Sequence, residues 1–450
     1  MFVQTENWSS LSPDEKLEAR FASWMSAEGI QFANPQAEQG YKQRTKMIKD
    51  AIQLKKPERI PICPNVGFYP AAYAGVTAEE VMYDYDKLGR AWKKFNTDFM
   101  PDSLASSFIV GPGKLFELLD YKLYKWPGHG TAPHTPYQCV EDAYMRDDEY
   151  DLLITDPSGY WVRYYMPRIL GALNPWQKLA PFTDLVELPF LGAVMVPVGL
   201  PDVQKSFESY LEAGRAALEW VAAFGAIDAE MMSTLGLPML LGGFAKAPFD
   251  TIGDTLRGTR AVMLDKFRRP EKLLQAMEML VPIQIEMGLR TATINNNPFV
   301  FIPLHKGADG FLSRNDFAKF YWPTLKAVML GLISEGAVPY VFVEGGYNQR
   351  VDFLADPELP VGKILWIFDQ TDMREVKKTL GGLACFGGNV PVSLLKAGTP
   401  GQIEAYVGDL IKNVAQDGGF ILSTGAVVDD ATPENFHAMI AAGKKYGIYQ

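Results

Sequence analysis

The sequence predicts an α/β fold, a (β/α)8 TIM barrel with N-terminal helices and a long insertion after strand 2. Two observations carry that prediction. Eight short, nearly continuous apolar runs each end in Gly, Asn, Asp or His, and a helical stretch follows each one. Strands that are apolar on both faces and alternate with helices form a buried parallel sheet, and eight of them close a barrel. The competing arrangement is an open doubly wound sheet. At 450 residues the chain is long enough for such a barrel as one unit.

The first helix is announced by Ser12-Pro13-Asp14-Glu15, a cap, a proline at the first helical position and an acid three residues after the cap. A second helix is expected over Tyr41 to Leu54, with Met47, Ile48, Ala51 and Ile52 on one face. Pro57-Glu58-Arg59 breaks the pattern and the first strand begins. The predicted strands run Ile60–Asn65, Thr97–Asp102, Met239–Phe244, Phe299–His305, Pro339–Glu344, Ile364–Asp369, Leu383–Phe386 and Phe420–Ser423. Residues from about 103 to 237 do not fit the repeat, being rich in Pro, Tyr and Trp and then helical from Asp202 to Phe224. They are expected to cover the barrel mouth. The expected domains are therefore an N-terminal helical extension, 1–56, and a barrel with its insertion, 57–450.

Composition narrows the function. Hydrophobic residues make up 48% and charged residues 21%, which excludes a mostly disordered chain. The 53 acidic and 43 basic residues leave a net charge of −10, which argues against nucleic acid or an anionic membrane as the main partner. Cys63, Cys139 and Cys385 are few and far apart, so no disulfide framework is expected and a reducing compartment fits. Met1 to Ser10 lacks a charged start followed by an apolar stretch, so no secretory signal is read there. The longest apolar stretch, Leu188 to Leu200, is too short for a membrane span and contains Pro189 and Pro197. A cytoplasmic protein is expected.

Common motifs fail. Gly111-Pro112-Gly113-Lys114 has Phe108 where a phosphate loop needs glycine and Leu115 where it needs Ser or Thr. No Gly-x-Gly-x-x-Gly follows the first strand, and no Gly-x-Ser-x-Gly elbow occurs. His129 and His134 lie in a Pro/Gly loop and pair only if that loop folds back.

In a barrel each strand end aims a side chain into a shared mouth. The ends read Asn65, Asp102, Lys246, His305, Glu344, Asp369, Cys385 and Asn389. Each also has a plainer reading. His305 could be a backbone-bonded hinge residue, Glu344 could pair with Arg350 or a lysine, and Cys385 could be a small core residue. Asp369 could cap the helix near Met373, although Asp372 is better placed. An ionised carboxylate at Glu344 is costly unless it meets a cation, a metal or a donor on a substrate. His305, Glu344 and Cys385 could together hold a divalent metal, with zinc the usual choice for mixed ligands. Without metal, the same groups could act by general acid/base chemistry.

Several segments resemble the uroporphyrinogen decarboxylase superfamily. Leu241-Gly242-Gly243-Phe244-Ala245-Lys246-Ala247-Pro248-Phe249-Asp250 resembles that family's Gly-Phe-x-x-Ala-Pro-Phe turn, with Pro270-Glu271 following at a similar distance. Phe386-Gly387-Gly388-Asn389-Val390, ahead of Leu394-Leu395, resembles its Gly-Asn-Val/Ile segment. Gly418-Gly419-Phe420-Ile421-Leu422-Ser423, then Thr432-Pro433-Glu434-Asn435, resembles its last strand and helix, and Arg59-Ile60-Pro61-Ile62 its first strand. The resemblance implies a (β/α)8 barrel.

The superfamily also contains cobalamin (corrinoid)-dependent methyltransferases. Asn65-Val66-Gly67-Phe68 stands where the porphyrin decarboxylases carry Arg-Gln-Ala-Gly, so the arginine for substrate carboxylates is missing and that reaction is disfavoured. The thiol-directed methyltransferases carry His-x-Cys-Gly where this chain has Phe342-Val343-Glu344-Gly345. The resemblance thus implies the demethylating component, moving a methyl group from a small O-methyl or N-methyl donor to a corrinoid on a partner protein. Glu344, His305 and Asp369 are the expected catalytic groups. Asn65, Lys246, Tyr347 and Asn389 are the expected substrate-binding residues, and His305, Glu344 and Cys385 the expected zinc ligands. A homodimer is the expected assembly. The alternative is a lyase acting on a small carboxylic acid, which Lys246, Arg257 or Arg260 near the mouth would favour.

Overall fold

A computed structural model describes residues 7–449, so the first six residues of the expected N-terminal extension, and Gln450, lie outside the described residues. The chain opens as read. Helix α1, Pro13–Ser26, starts at a capping box: Glu15 N–H donates to Ser12 Oγ (3.3 Å) while Ser12 N–H donates to Glu15 Oε2 (2.8 Å). Helix α2, Pro35–Ile52, begins six residues earlier than expected. Asn34 supplies its cap, accepting from Ala37 N–H at 2.8 Å, and Pro35 stands at its first turn. Met47, Ile48, Ala51 and Ile52 are all buried.

Six parallel strands follow one another round a single sheet in chain order: β1 Gly243–Phe244, β2 Phe299–Leu304, β3 Val338–Val343, β4 Leu365–Phe368, β5 Cys385–Val390 and β6 Phe420–Thr424. Their order never reverses, as it would in a doubly wound sheet. The other two predicted strands form no ladder. Ile60–Asn65 makes only bridges to the last strand, with Cys63 N–H donating to Leu422 O (2.8 Å) and Leu422 N–H to Pro61 O (2.9 Å). Pro61 and Pro64 have no N–H to give, so a continuous ladder cannot form.

In the second predicted strand, Thr97 to Phe99 are instead the last turn of the helix Tyr85–Phe99. The chain leaves that helix through Met100 at φ 44° and bends at Asp102 and Ser103. Asp102 N–H then bonds Ile62 O (2.8 Å) and Leu104 N–H bonds Pro238 O (2.9 Å), carrying the ring from the first segment to the third. The seventh strand starts two residues later than expected, because Leu383 N–H is still bonded to Leu380 O in the preceding turn.

Side chains alternate across each strand. Val300, Ile302, Leu304, Val341, Val343, Trp366 and Phe368 pack outward against the helices, whereas Phe299, Val338, Tyr340, Leu365, Ile367, Cys385 and Ile421 point into the barrel. There they join Leu17, Phe21 and Trp24 of α1 and Ile48, Ala51 and Ile52 of α2. The N-terminal helices therefore plug the barrel floor. Phe299 links the two parts, with ring centroids 5.3 Å from Trp24 and 6.2 Å from Phe21, both edge-on. Phe299→Ala is expected to cost about 3–5 kcal/mol in a denaturant titration, through lost burial and a cavity shared by floor and helices.

Between the second segment and β1 the chain forms a small three-stranded sheet (Tyr124–Pro127, Gly130–Thr131, Gln138–Cys139), several short helices, and the long helix α3, Pro201–Leu235. No helix among the described residues is long and apolar enough to cross a membrane.

Candidate active site

The inward column of each strand changes character at its last step. Phe299-x-Phe301-x-Pro303 ends in His305, Val338-x-Tyr340-x-Phe342 in Glu344, and Leu365-x-Ile367 in Asp369. Since each polar residue keeps the inward phase, a strand with an apolar floor delivers one polar group at the mouth. These three residues line a cavity of about 420 Å3 together with Phe311, Phe342 and Val427.

The geometry centres on His305. Its Nδ1 lies 2.5 Å from Asp254 Oδ2, and its Nε2 faces Glu344 Oε1 at 3.8 Å. Asp254 also receives Lys246 Nζ (2.7 Å) and Lys306 Nζ (2.9 Å). One helical turn earlier, the fully buried Asp250 grips the strand end itself. Its Oδ2 accepts from His305 N–H (2.9 Å) and Tyr321 Oη–H (2.6 Å), and its Oδ1 accepts from Lys306 N–H (3.0 Å). From the insertion, Glu141 Oε1 reaches Lys306 Nζ at 3.2 Å.

The charges follow from these contacts. Burial alone would raise the Asp254 carboxyl, but the bond from His305 and the charges of Lys246 and Lys306 outweigh it and hold the group below the usual carboxylate range. Burial opposes charge on His305, but Asp254 with Asp250 and Glu344 overcomes it and the imidazole pKa is raised. Glu344 moves the other way from Asp254. Burial lifts its pKa, and the nearby carboxylates of Asp250, Asp369 and Asp254 add to that lift against His305. Burial likewise raises Asp369, against the Gly345 N–H it accepts at 3.0 Å. An imidazole whose pKa is raised, oriented from behind by an aspartate held below its usual range, thus presents Nε2 to a cavity beside a carboxyl that titrates above its ordinary value. The 3.8 Å gap is too long for a direct hydrogen bond. A ligand heteroatom could bridge it.

Several expected site residues are placed elsewhere. Cys385 opens β5 instead of ending it; it is fully buried in the floor cluster, where burial pushes its thiol up, and so it cannot join His305 and Glu344. Without it the zinc site does not assemble. Among the described residues no group of three or more His, Cys, Asp or Glu side chains could hold a metal ion. Tyr347 is fully buried against Phe317, outside the barrel, because Gly345 at φ 75° turns the chain away from the mouth. Asn389 is spent on the wall. Its Nδ2 donates to the Asp369 and Thr371 carbonyls (2.9 and 3.1 Å), and its Oδ1 accepts from Tyr406 Oη–H (2.8 Å).

Asn65 sits beside the last strand, accepting from Tyr340 Oη–H at 2.6 Å, with its Nδ2 unbonded among the described residues. Lys246 does reach the mouth, but it is held by Asp254. Glu344 does not pair with Arg350, which bonds Asp309 (2.7 Å) and the Gly307 and Leu312 carbonyls instead.

Asp250, Asp254 and Lys306 were not singled out from the sequence. The available signal was the spacing Asp250-x-x-x-Asp254 just after a strand end, which stacks two carboxylates on one helical face.

The family model for uroporphyrinogen decarboxylase (URO-D) matches residues 223–446, a span that contains every side chain of the His305 cluster except Glu141. The first segment, Arg59–Ile62, lies outside it. Among solved structures, a methyltransferase from Methanosarcina mazei is similar over 90% of this chain and 98% of its own, with a TM-score of 0.55 and 14% identity, which shows a shared fold. A B12-independent methionine synthase from Shewanella sp. W3-18-1 matches 45% of this chain and 59% of its own at a TM-score of 0.32 and 10% identity, too little to carry an argument. No curated protein matches by sequence. With its sheet, its mouth and the matched span coinciding, residues 223–446 of the chain form a uroporphyrinogen decarboxylase (URO-D) domain.

Proposed function

We propose that this chain is a methyltransferase that takes a methyl group from a small O-methyl or N-methyl donor and passes it to the cobalt of a corrinoid carried by a partner protein. The observation that supports this reading is the Asp254–His305–Glu344 line, which aims Nε2 into the cavity. A methyl ether is a poor electrophile because an alkoxide or phenoxide leaves badly, and a proton delivered to the departing oxygen removes that obstacle. The corrinoid supplies the nucleophile that accepts the methyl group.

His305 gives its Nε2 proton to the leaving oxygen as the carbon–oxygen bond breaks, and the bonding pair stays with that oxygen. Asp254 keeps Nδ1 protonated and the ring oriented, and Lys246 and Lys306 keep Asp254 ionised. Glu344 orients the donor beside Nε2, and Asp369 holds the Gly345 backbone next to it.

The alternative, a lyase acting on a carboxylic acid, needs a free cation in the mouth. Lys246 and Lys306 are both engaged by Asp254, and Arg257 is bound to Asp265 at 2.6 Å.

The test is a spectral assay that follows cob(I)alamin methylation by the purified protein across a panel of methyl ethers and methylamines, combined with metal analysis. Methylcobalamin formation with one donor class is the expected result. No methylation by any donor, together with carbon dioxide release from a small acid, overturns the reading in favour of the lyase.

The acid role fixes the pH profile. Because the His305 pKa is raised from 6.5, the acid form persists into higher pH. The rate with an ether donor should therefore fall at a higher pH than an unperturbed imidazole would set. Asp254→Asn removes the charge that raises it, so the alkaline limb should move to lower pH.

A further inference from the structure

The insertion carries an apolar surface that the barrel does not use. Between residues 182 and 221, thirteen apolar side chains are each more than one-third exposed, among them Phe182 (74%), Leu188 (83%) and Leu218 (72%). With aromatic side chains offering roughly 150–250 Å2 each, such a set exposes on the order of 1,000 Å2. The largest patch on a typical monomer is about 300–600 Å2, and each partner in a stable interface contributes about 800 Å2.

Helix α3 orders part of this surface. Its inner face buries Val203, Ser206, Ala213, Ala216 and Met231. Its outer face carries Leu211, Gly214, Leu218, Val221 and Gly225, spaced alternately three and four residues apart, the repeat of a helix–helix seam. A Cβ added at Gly214 or Gly225 would meet nothing within 4 Å, so both open onto free space. The turn 196–199 lies against α3, and Phe190–Met195 packs on that turn with Phe190, Leu191 and Met195 exposed.

We propose that the chain pairs with a second copy of itself through the outer face of α3 and the segment 182–200. A two-fold contact requires one patch to hold both a projection and the recess that receives it. In an antiparallel pair centred on Leu218, Leu211 of one copy lies over Gly225 of the other, and Gly214 lies against Ala222. The same helix therefore supplies knob and hole. The size and apolarity of the surface fit a permanent interface. A partner that delivers a corrinoid and leaves again would fit a smaller and more polar one.

Light scattering and sedimentation of the full chain should give twice the monomer mass at micromolar concentration. The double variant Leu211→Glu/Leu218→Glu should weaken dimerisation at least 100-fold with an unchanged far-ultraviolet circular dichroism spectrum, since both side chains point outward. A second readout does not depend on losing anything. Leu218→Cys, made with Cys139→Ser to remove the exposed native thiol, should form a disulfide-linked dimer on mild oxidation, because two residues on the axis approach within the roughly 4.4–6.8 Å that a disulfide spans. A wild-type chain that stays monomeric at every concentration overturns the proposal, whether or not it floats with phosphatidylcholine vesicles. So does a dimer that survives the double substitution without cross-linking through position 218.

Discussion

His305→Ala is expected to lower the rate of methyl transfer from an ether donor by about 10²–10⁴-fold, the usual worth of a positioned general acid. The loss should fall on kcat, because the proton moves only as the bond breaks. It should also depend on the donor. A donor whose leaving group departs as a neutral amine needs no proton, so with a quaternary methylammonium the variant should lose far less than with an ether. Single-turnover rates with both donor types decide the point. Equal losses would mean that His305 serves binding or shape and not proton delivery.

Asp254→Ala is expected to cost about 3–5 kcal/mol of stability in a denaturant titration. Asp254 is the shared partner of Lys246, Lys306 and His305, and removing it takes the counter-charge from two lysines in a largely buried site. Lys306 is the worse placed of the two, with only 6% of its side chain exposed. The His305 pKa should fall at the same time, since the first partner that raises it is gone. NMR titration of the ring reads that directly, and a His305 pKa unchanged in the variant would show that Asp254 is not what raises it.

The likeness to a known family and the strand ends are legible in the sequence because both are local. An apolar run that ends in a polar residue is the same signal in any barrel, and His305, Glu344 and Asp369 each terminate such a run. Cys385 looks like a strand end only until its phase is counted. It stands four residues before Asn389 on the same strand face, which puts it on the floor, about 13 Å from the mouth at the usual rise per residue. Tyr347 is not readable in this way, because Gly345 reverses the chain just after Glu344, and a turn alters the direction of every side chain beyond it.

From the sequence alone came the class of fold, the capping of α1, the buried face of α2 and the three polar residues that close their strands. These depend on period, on proline and on cap chemistry, all set within a few residues. Only the folded chain decided which charges meet. Asp254 reaches His305 across 51 positions, and Glu141 reaches Lys306 across 165. Contacts at such separations are fixed by packing, which brings β2 beside the helix that follows β1 and lays an insertion loop over both.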